Sequence, residues 1–539
     1  MRLTVSMCAA LTRRSRSSGS SCRARTSWPV ASTRNGSKAW QTPLRNPKQS
    51  EGGGPMAEEI RIIDTTLRDG QQSLWAMNMR TGWMLPALDQ LDQAGFEAME
   101  FFVPVVQIKK MIRDLSEDPF EWLRLGVARA KHTPLRLHAG YRSGLGKVPE
   151  SVSKLMVQKV IDCGIKTARI SDPWNDFQTL KEEHDELRRM GIESVVNLIY
   201  SVSPRHTTEY FVQRTRDAAA LRPYRICFKD VGGLLTPDRL QDLLPKVLEA
   251  AGDIPVEFHN HCNNGLGTFN LQQAVDLGIR HVHSAIPPLA EGSSQPSVFS
   301  VVQNLRARGY NVPLDDAPCQ TAADYLTRIA EREGLAIGQP RAYDETLYAH
   351  QIPGGMISNL EYQLEKVGMG GQMNLIREEA ARVRAEFGYP IMVTPLSQFV
   401  GTQAAINVIT GARYKQVSDE TIQYALGQWG REALDHMDAD IRDRILDRPR
   451  ARELAALTVD QPGLAEVRRA IGSDLTDEEL IIRCYVDQDA VDLVRRLPPP
   501  TEEPLGRSPL VELVANLAAK SAYADLNVSV GDLSIRLRR

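Results

Sequence analysis

Long apolar runs are missing from this chain. In 539 residues no stretch stays apolar for the roughly 20 residues that a membrane-crossing helix requires, so no membrane span is expected. Cysteine is scarce and unpatterned. The seven (Cys8, Cys22, Cys163, Cys227, Cys262, Cys319 and Cys484) have no paired spacing, which speaks against a disulfide framework and for reduced thiols in a cytoplasmic protein. Net charge is also missing, with 65 Lys/Arg against 67 Asp/Glu. That balance hides an asymmetry, because residues 1–55 carry ten of the basic residues and a single acid, Glu51. The remainder is therefore acidic, which counts against nucleic acid as a partner. What is present is ordinary for a globular protein, 42% hydrophobic and 24% charged. The length leaves room for one large domain and at least one more.

Residues 1–55 differ from everything that follows. They are Ser/Arg-rich, lack an amphipathic pattern and end on Gly52-Gly53-Gly54-Pro55. Such a segment is expected to be disordered, or a transit peptide, or text upstream of a true start at Met56. No chemistry is assigned to it.

From Ile60 the chain alternates strand and helix. Strand patterns fall at 60–66, 97–103, 134–139, 166–171, 193–200, 223–228, 254–259 and 279–284. Helical patterns fall between them at 81–95, 117–131, 149–163, 175–190, 206–220, 236–251, 267–278 and 296–308. Eight βα units within about 250 residues point to an α/β fold, the (β/α)8 TIM barrel. A doubly wound open sheet is the rival, but no G-x-G-x-x-G phosphate loop follows residue 66.

A barrel places its chemistry beyond the C-terminal ends of its strands, and the ionisable residues of this chain gather there. Strand one runs into Arg68-Asp69-Gly70-Gln71-Gln72, strand six ends on Lys229-Asp230, strand seven on His259-Asn260-His261, and strand eight leads to Glu291 and Gln295. Two histidines at i and i+2 on a strand share a side, so both imidazoles can reach one ion. Asp69 would complete a three-ligand cation site with open positions. A lysine closing a buried strand must find an acid, lose its proton or be chemically converted. A plain Lys229–Asp230 surface pair is the alternative.

With these motifs in view, Asp64-Thr-Thr-Leu-Arg-Asp-Gly-Gln-Gln-Ser73, the lysine–aspartate strand end and the His-x-His strand resemble the metal-dependent barrels of 3-hydroxy-3-methylglutaryl-CoA lyase, isopropylmalate synthase and the biotin-dependent carboxyltransferases. Lys229–Pro237, His350–Asn359 and Val393–Thr402 look like the last branch: the carboxyltransferase domain of pyruvate carboxylase, the transcarboxylase subunit and the oxaloacetate decarboxylase α subunit. The likeness runs over residues 60–495. It implies a divalent metal (Zn, Mn or Co) on Asp69, His259 and His261, with Lys229 N-carboxylated as fourth ligand (N6-carboxylysine). Arg68 and Gln72 would line the substrate site, and a carboxyl group would pass between biotin and the enolate of a 2-oxo acid such as pyruvate.

The sequence also departs from that family. Asn263 stands where the family has a proton-relaying threonine. In the strand-three loop, His138 to Tyr141 precede a shifted Arg142, the one candidate for the arginine that anchors the substrate carboxylate. Gly70-Gln71 is closer to the synthases. His138, Arg142 and Asn263 are nevertheless the candidate substrate contacts. A metal-dependent aldol-type lyase or Claisen-type synthase, and an inactive scaffold, are the competing functions. The lyases and synthases usually lack both the lysine and the region after the barrel.

Barrel residues 56–309 are followed by a mostly helical domain, 310–496, which in the family forms a funnel over the barrel mouth; a plain dimerisation module is the alternative. A Pro-rich linker spans 497–508. Residues 509–539 read as a helix, Val511–Lys520, and two short strands, a small αββ segment suited to docking a carrier. The Met-Lys biotinylation signature is absent, as is a biotin carboxylase module. Biotin would therefore arrive in trans, on a biotin carboxyl carrier protein charged by a biotin carboxylase subunit. A homo-oligomer is expected.

Overall fold

The computed structural model describes residues 2–5, 57–141, 148–352, 370–457, 461–505, 525–530 and 533–538. All eight expected strands are present: β1 Arg61–Asp64, β2 Ala98–Phe102, β3 Leu135–His138, β4 Thr167–Ile170, β5 Glu193–Ile199, β6 Arg225–Asp230, β7 Val256–Asn260 and β8 His281–Ser284. They pair in parallel in chain order, and β8 returns to β1 through Arg61↔His281 to Asp64↔Ser284, closing the barrel. Eight helices alternate with them: α1 Thr81–Leu91, α2 Pro119–Arg129, α3 Glu150–Asp162, α4 Phe177–Arg189, α5 Thr208–Ala220, α6 Pro237–Ala251, α7 Gly267–Asp276 and α8 Val298–Ala307.

Local chemistry sets several helix starts. Asp118, Asp176, Thr207 and Thr236 cap α2, α4, α5 and α6, each accepting from an amide of the first turn. Pro119 and Pro237 follow their caps, where the missing N–H costs nothing. The outer core lies between sheet and helices. Phe101 stacks on Trp122 at 5.7 Å between centroids. Its ring occupies the place a β-carbon on Gly126 would take, 2.0 Å away, so α2 can approach β2 only with glycine there.

Beyond the barrel a long helix α9, Asp316–Glu333, buries Tyr325, Leu326 and Ile329. Shorter helices from Met373 to Val494 enclose a second apolar core of Ile376, Val383, Phe387, Phe399, Tyr414 and Tyr424. Trp174, from the barrel, belongs to that core and donates from Nε1 to the Trp429 carbonyl at 2.8 Å. Residues expected to start the Pro-rich linker are tied down: Glu503 N donates to Gly82 O at 3.1 Å, and Tyr325 Oη donates to Glu503 O at 3.1 Å.

A separate small unit contains a three-stranded antiparallel sheet, ordered Arg2–Val5, Leu533–Arg538, Asp525–Val530. The two C-terminal strands lie within residues 509–539, the segment expected to hold two short strands. Arg2–Val5 corrects the expectation that residues 1–55 are wholly unstructured. A strand with a free edge can pair any extended segment through the backbone alone, which composition does not reveal. Residues 6–55 and the helix expected at Val511–Lys520 lie outside the described residues, as do residues 353–359 of the His350–Asn359 motif.

Candidate active site at the barrel mouth

At the end of β1 the chain leaves the sheet through a π-helical turn, Thr66–Gly70, and a short helix, Gln71–Trp75. Asp64 accepts from the Thr66 amide at 3.1 Å and also from its hydroxyl. Thr65 reaches Gln295 Oε1 at 2.7 Å, tying this turn to the loop after β8. The turn delivers Arg68 and Asp69, both buried, over the barrel axis. π-helical turns inside ordinary helices are frequent at functional sites.

Asp69, His259 and His261 converge, with one ligand atom from each lying within 4.8 Å of the others. Asp69 Oδ2 is 3.3 Å from His259 Nε2 and 3.8 Å from His261 Nε2, and the two imidazole nitrogens are 3.1 Å apart. Burial alone would raise the Asp69 carboxyl, but the Arg68 guanidinium and the two imidazoles outweigh it and hold it well below the usual carboxylate range. Burial and the nearby Arg169 cation push His259 far down, so its ring is neutral, the form that binds metal. Gln295 Nε2 stands 2.9 Å from His261 Nε2.

Lys229 pairs in register with His259 across β6 and β7. It is buried, and among the described residues its amine makes no ion pair or hydrogen bond. Burial, then the cations Arg169 and Arg68, bring it down to about 7 from the ordinary lysine value of 10.5. The surface-pair alternative does not hold. Asp230 is fully buried and accepts from the Leu234 and Leu235 amides at 2.9 Å each, so it closes the loop after β6 rather than pairing with Lys229.

The remaining expected residues divide. Arg68 is committed to acids, donating to Glu100 at 2.9 Å and to Asp69 at 2.8 Å. Gln72 is half-buried, and its Oε1 has no partner among the described residues. His138 closes β3 and accepts from Arg169 Nε at 3.2 Å; burial and three nearby cations keep it neutral. Asn263 donates to the Val231 carbonyl at 3.0 Å, and its buried Oδ1 has no partner among the described residues. Arg142 lies outside the described residues. A cavity of about 540 Å³ is lined by Tyr200, His206, Thr236, Arg239 and Tyr348, and none of the ligand-bearing residues lines it.

Sequence reasoning missed Glu100 and Arg169. Arg169 is fully buried between Glu100, at 2.8 and 3.1 Å, and His259 Nδ1, at 3.1 Å. A signal was there. Glu100, Arg136, Arg169 and Glu257 are each flanked by apolar residues inside a barrel strand, a position that only a common interior can satisfy.

Residues 59–326 match the HMGL-like family model, and residues 347–515 match the conserved carboxylase domain. The second match falls on the helical region beyond the barrel. A pyruvate carboxylase subunit of Methanocaldococcus jannaschii is 34% identical over 391 residues, 72% of this chain and 68% of that one. The chain belongs to the biotin-dependent carboxyltransferase family. Within that family, the corresponding pyruvate carboxylase subunit of Methanothermobacter thermautotrophicus is 30% identical, covering 84% of this chain and 82% of its own length. The 2-oxoglutarate carboxylase large subunit of Hydrogenobacter thermophilus is also 30% identical, over 83% and 69%. The carboxyl transferase domain of Rhizobium etli pyruvate carboxylase shares the fold, with TM-score 0.72 at 23% identity over 81% of this chain and 77% of that one. The protein is thus an enzyme, a carboxyltransferase subunit. Among the described residues no helix is long and apolar enough to cross a membrane.

Proposed function

We propose that the barrel mouth moves a carboxyl group between carboxybiotin, carried by a separate protein, and a 2-oxo acid. The observation that carries this is the convergence of Asp69, His259 and His261 beside the buried Lys229, which has no partner among the described residues. The donor set fits a divalent ion: one carboxylate and two imidazoles, with Nδ1 of His261 donating to the Ser293 carbonyl at 2.7 Å so that Nε2 keeps its lone pair. Zn, Mn and Co all suit such ligands. A divalent ion held there would polarise the 2-oxo group and stabilise charge as the carbon beside it loses a carboxyl group or proton.

Lys229, once carboxylated, would supply the fourth ligand. Its neutral amine attacks CO2, a nitrogen–carbon bond forms as one carbon–oxygen π bond opens, and the displaced proton leaves to solvent. The product is an anion that Arg169 and Arg68 stabilise, as they disfavour the ammonium. Gln72, whose Oε1 has no partner among the described residues, is placed to orient the substrate. Arg68 offers its charge and its Nη1, since Nε and Nη2 bind Glu100 and Asp69. Asn263 has no hydroxyl to relay a proton to biotin, so that proton moves by another group. The partners are a biotin carboxyl carrier protein and a biotin carboxylase subunit, in the cytoplasm. The named relatives act on pyruvate and on 2-oxoglutarate, and both acids are candidate acceptors.

The test is decarboxylation of oxaloacetate by the full chain, with and without a biotinylated carrier. Carrier-stimulated pyruvate release, abolished by Lys229→Ala, is expected. No turnover by folded, metal-loaded protein removes oxaloacetate and pyruvate and leaves 2-oxoglutarate as the acceptor to assay.

A further inference from the structure

A histidine that gives Nε2 to a cation must keep its proton on Nδ1, where something has to accept it. For His261 the Ser293 carbonyl does so, because a carbonyl can only accept. His259 has no such carbonyl. Its Nδ1 lies 3.0 Å from His283 Nδ1 and 3.1 Å from a guanidinium nitrogen of Arg169. These neighbours impose opposite tautomers. Arginine only donates. If it claims His259 Nδ1, the proton moves to Nε2 and the lone pair facing the ion is lost. If His283 accepts instead, Nδ1 keeps its proton and Nε2 is free.

His283 accepts at Nδ1 only when its own proton sits on Nε2. That nitrogen is 3.0 Å from Glu257 Oε2. Glu257 is buried and bound by Arg136 through both oxygens, at 2.8 and 3.1 Å, and by Arg225 at 3.1 Å. Two guanidinium groups keep it a carboxylate, able only to accept. The order of donors then runs one way: His259 Nδ1–H to His283, and His283 Nε2–H to Glu257. Arg169 keeps other acceptors: Nε and Nη2 bind Glu100 and His138, and Nη1 also lies 3.4 Å from His283 Nδ1 and 3.5 Å from Cys227 Sγ. The same contacts exclude a second cation among Cys227, Glu257 and His283, whose ligand atoms also lie within 4.8 Å. Both Glu257 oxygens already accept from guanidinium groups.

We propose that Glu257 and His283 form a tautomer lock that keeps His259 a ligand against the competing Arg169 donor. They are positioning residues, since neither reaches the ion. The lock rests on the cation site proposed above.

The experiment measures Zn(II) dissociation constants by competition with a chromogenic chelator, on the full chain and on His283→Leu and His283→Asn. Leucine fills the space without accepting. Asparagine can present an amide oxygen near the place of Nδ1. His283→Leu is expected to weaken Zn(II) binding by about 10–100-fold while circular dichroism stays native, and His283→Asn to recover most of the loss. Wild-type affinity in His283→Leu overturns the lock, and so does an asparagine variant as weak as the leucine one. Should His283→Leu not fold, NMR of the Zn(II)-loaded wild type decides: a scalar coupling across an Nδ1–H···Nδ1 hydrogen bond from His259 to His283 is expected, and its absence overturns the lock. A folded wild type that takes up no Zn(II) overturns the cation site as well, an outcome distinct from a site that binds but ignores His283.

Discussion

The mouth and the base of the barrel are both buried and both full of ionisable groups, yet they are built to opposite ends. At the base the carboxylates are answered by cations. Arg136 grips both oxygens of Glu257, Arg225 bridges Glu257 and Glu97 at 3.1 and 2.5 Å, and His281 adds a contact to Glu97 at 2.8 Å. The result is carboxylates held below their usual range, Glu97 at about 2, in spite of their burial. At the mouth several groups are left unanswered. Among the described residues Lys229 has no acid in contact, Gln72 and Asn263 each carry a buried oxygen without a partner, and two imidazole nitrogens face one carboxylate. A saturated network resists change; an unsaturated one has capacity left for a ligand.

The sharpest way to break the comparison is Arg136→Met, which leaves Glu257 short of its main cation. Removing one partner of a buried pair costs about 3–5 kcal/mol, so the urea midpoint should fall steeply. A midpoint near wild type would show that the base is not a stabilising network.

Asp69→Asn attacks the mouth instead. Carrier-dependent turnover should drop by about 10²–10³-fold, the scale of one lost electrostatic contact to reacting charge. The urea midpoint should move less than for Arg136→Met, because Arg68 keeps Glu100. Equal stability losses in both variants would erase the distinction.

Lys229 gives a pH test. Its folded value, about 7, is below the ordinary lysine value of 10.5, so between those two values the unfolded chain binds the extra proton. The stability penalty of burying this amine is therefore full below pH 7 and is relieved as pH rises through that window. The uncharged, CO2-reactive amine likewise becomes the major form near pH 7. At fixed CO2 pressure, the ¹³C carbamate signal that Lys229→Ala removes should rise through pH 7. A rise delayed to the ordinary lysine range would place the amine among solvated lysines.

The smallest effect belongs to the surface. Arg222 and Asp253 pair at 3.0 Å with side chains 64% and 73% exposed. Arg222→Ala should cost less than about 1 kcal/mol by urea denaturation, against the several expected at the base. A loss as large as that of Arg136→Met would mean that burial does not set the difference.

Much of this was legible along the chain. The eight strand and eight helix patterns found their places because each strand is a short apolar run and each helix shows a 3.6-residue period, both local properties. Asp69, Lys229, His259 and His261 stood out because they follow such runs directly, and a barrel turns all strand ends toward one face. Arg2–Val5 was not legible, since its strand exists only through pairing with a segment more than 500 residues away.

The sequence by itself determined the barrel, the family and the residues at its strand ends, because periodicity and local motifs survive without knowledge of contacts. Only the tertiary structure decided what surrounds them. Glu100, Arg169, Glu257 and His283 come from β2, β4, β7 and β8, and each alone is an odd polar residue in a strand. Closing the sheet brings them into one low-dielectric interior, where a charge must find a partner. Which partner each finds, and hence the protonation of His259, follows from distances that no linear pattern contains.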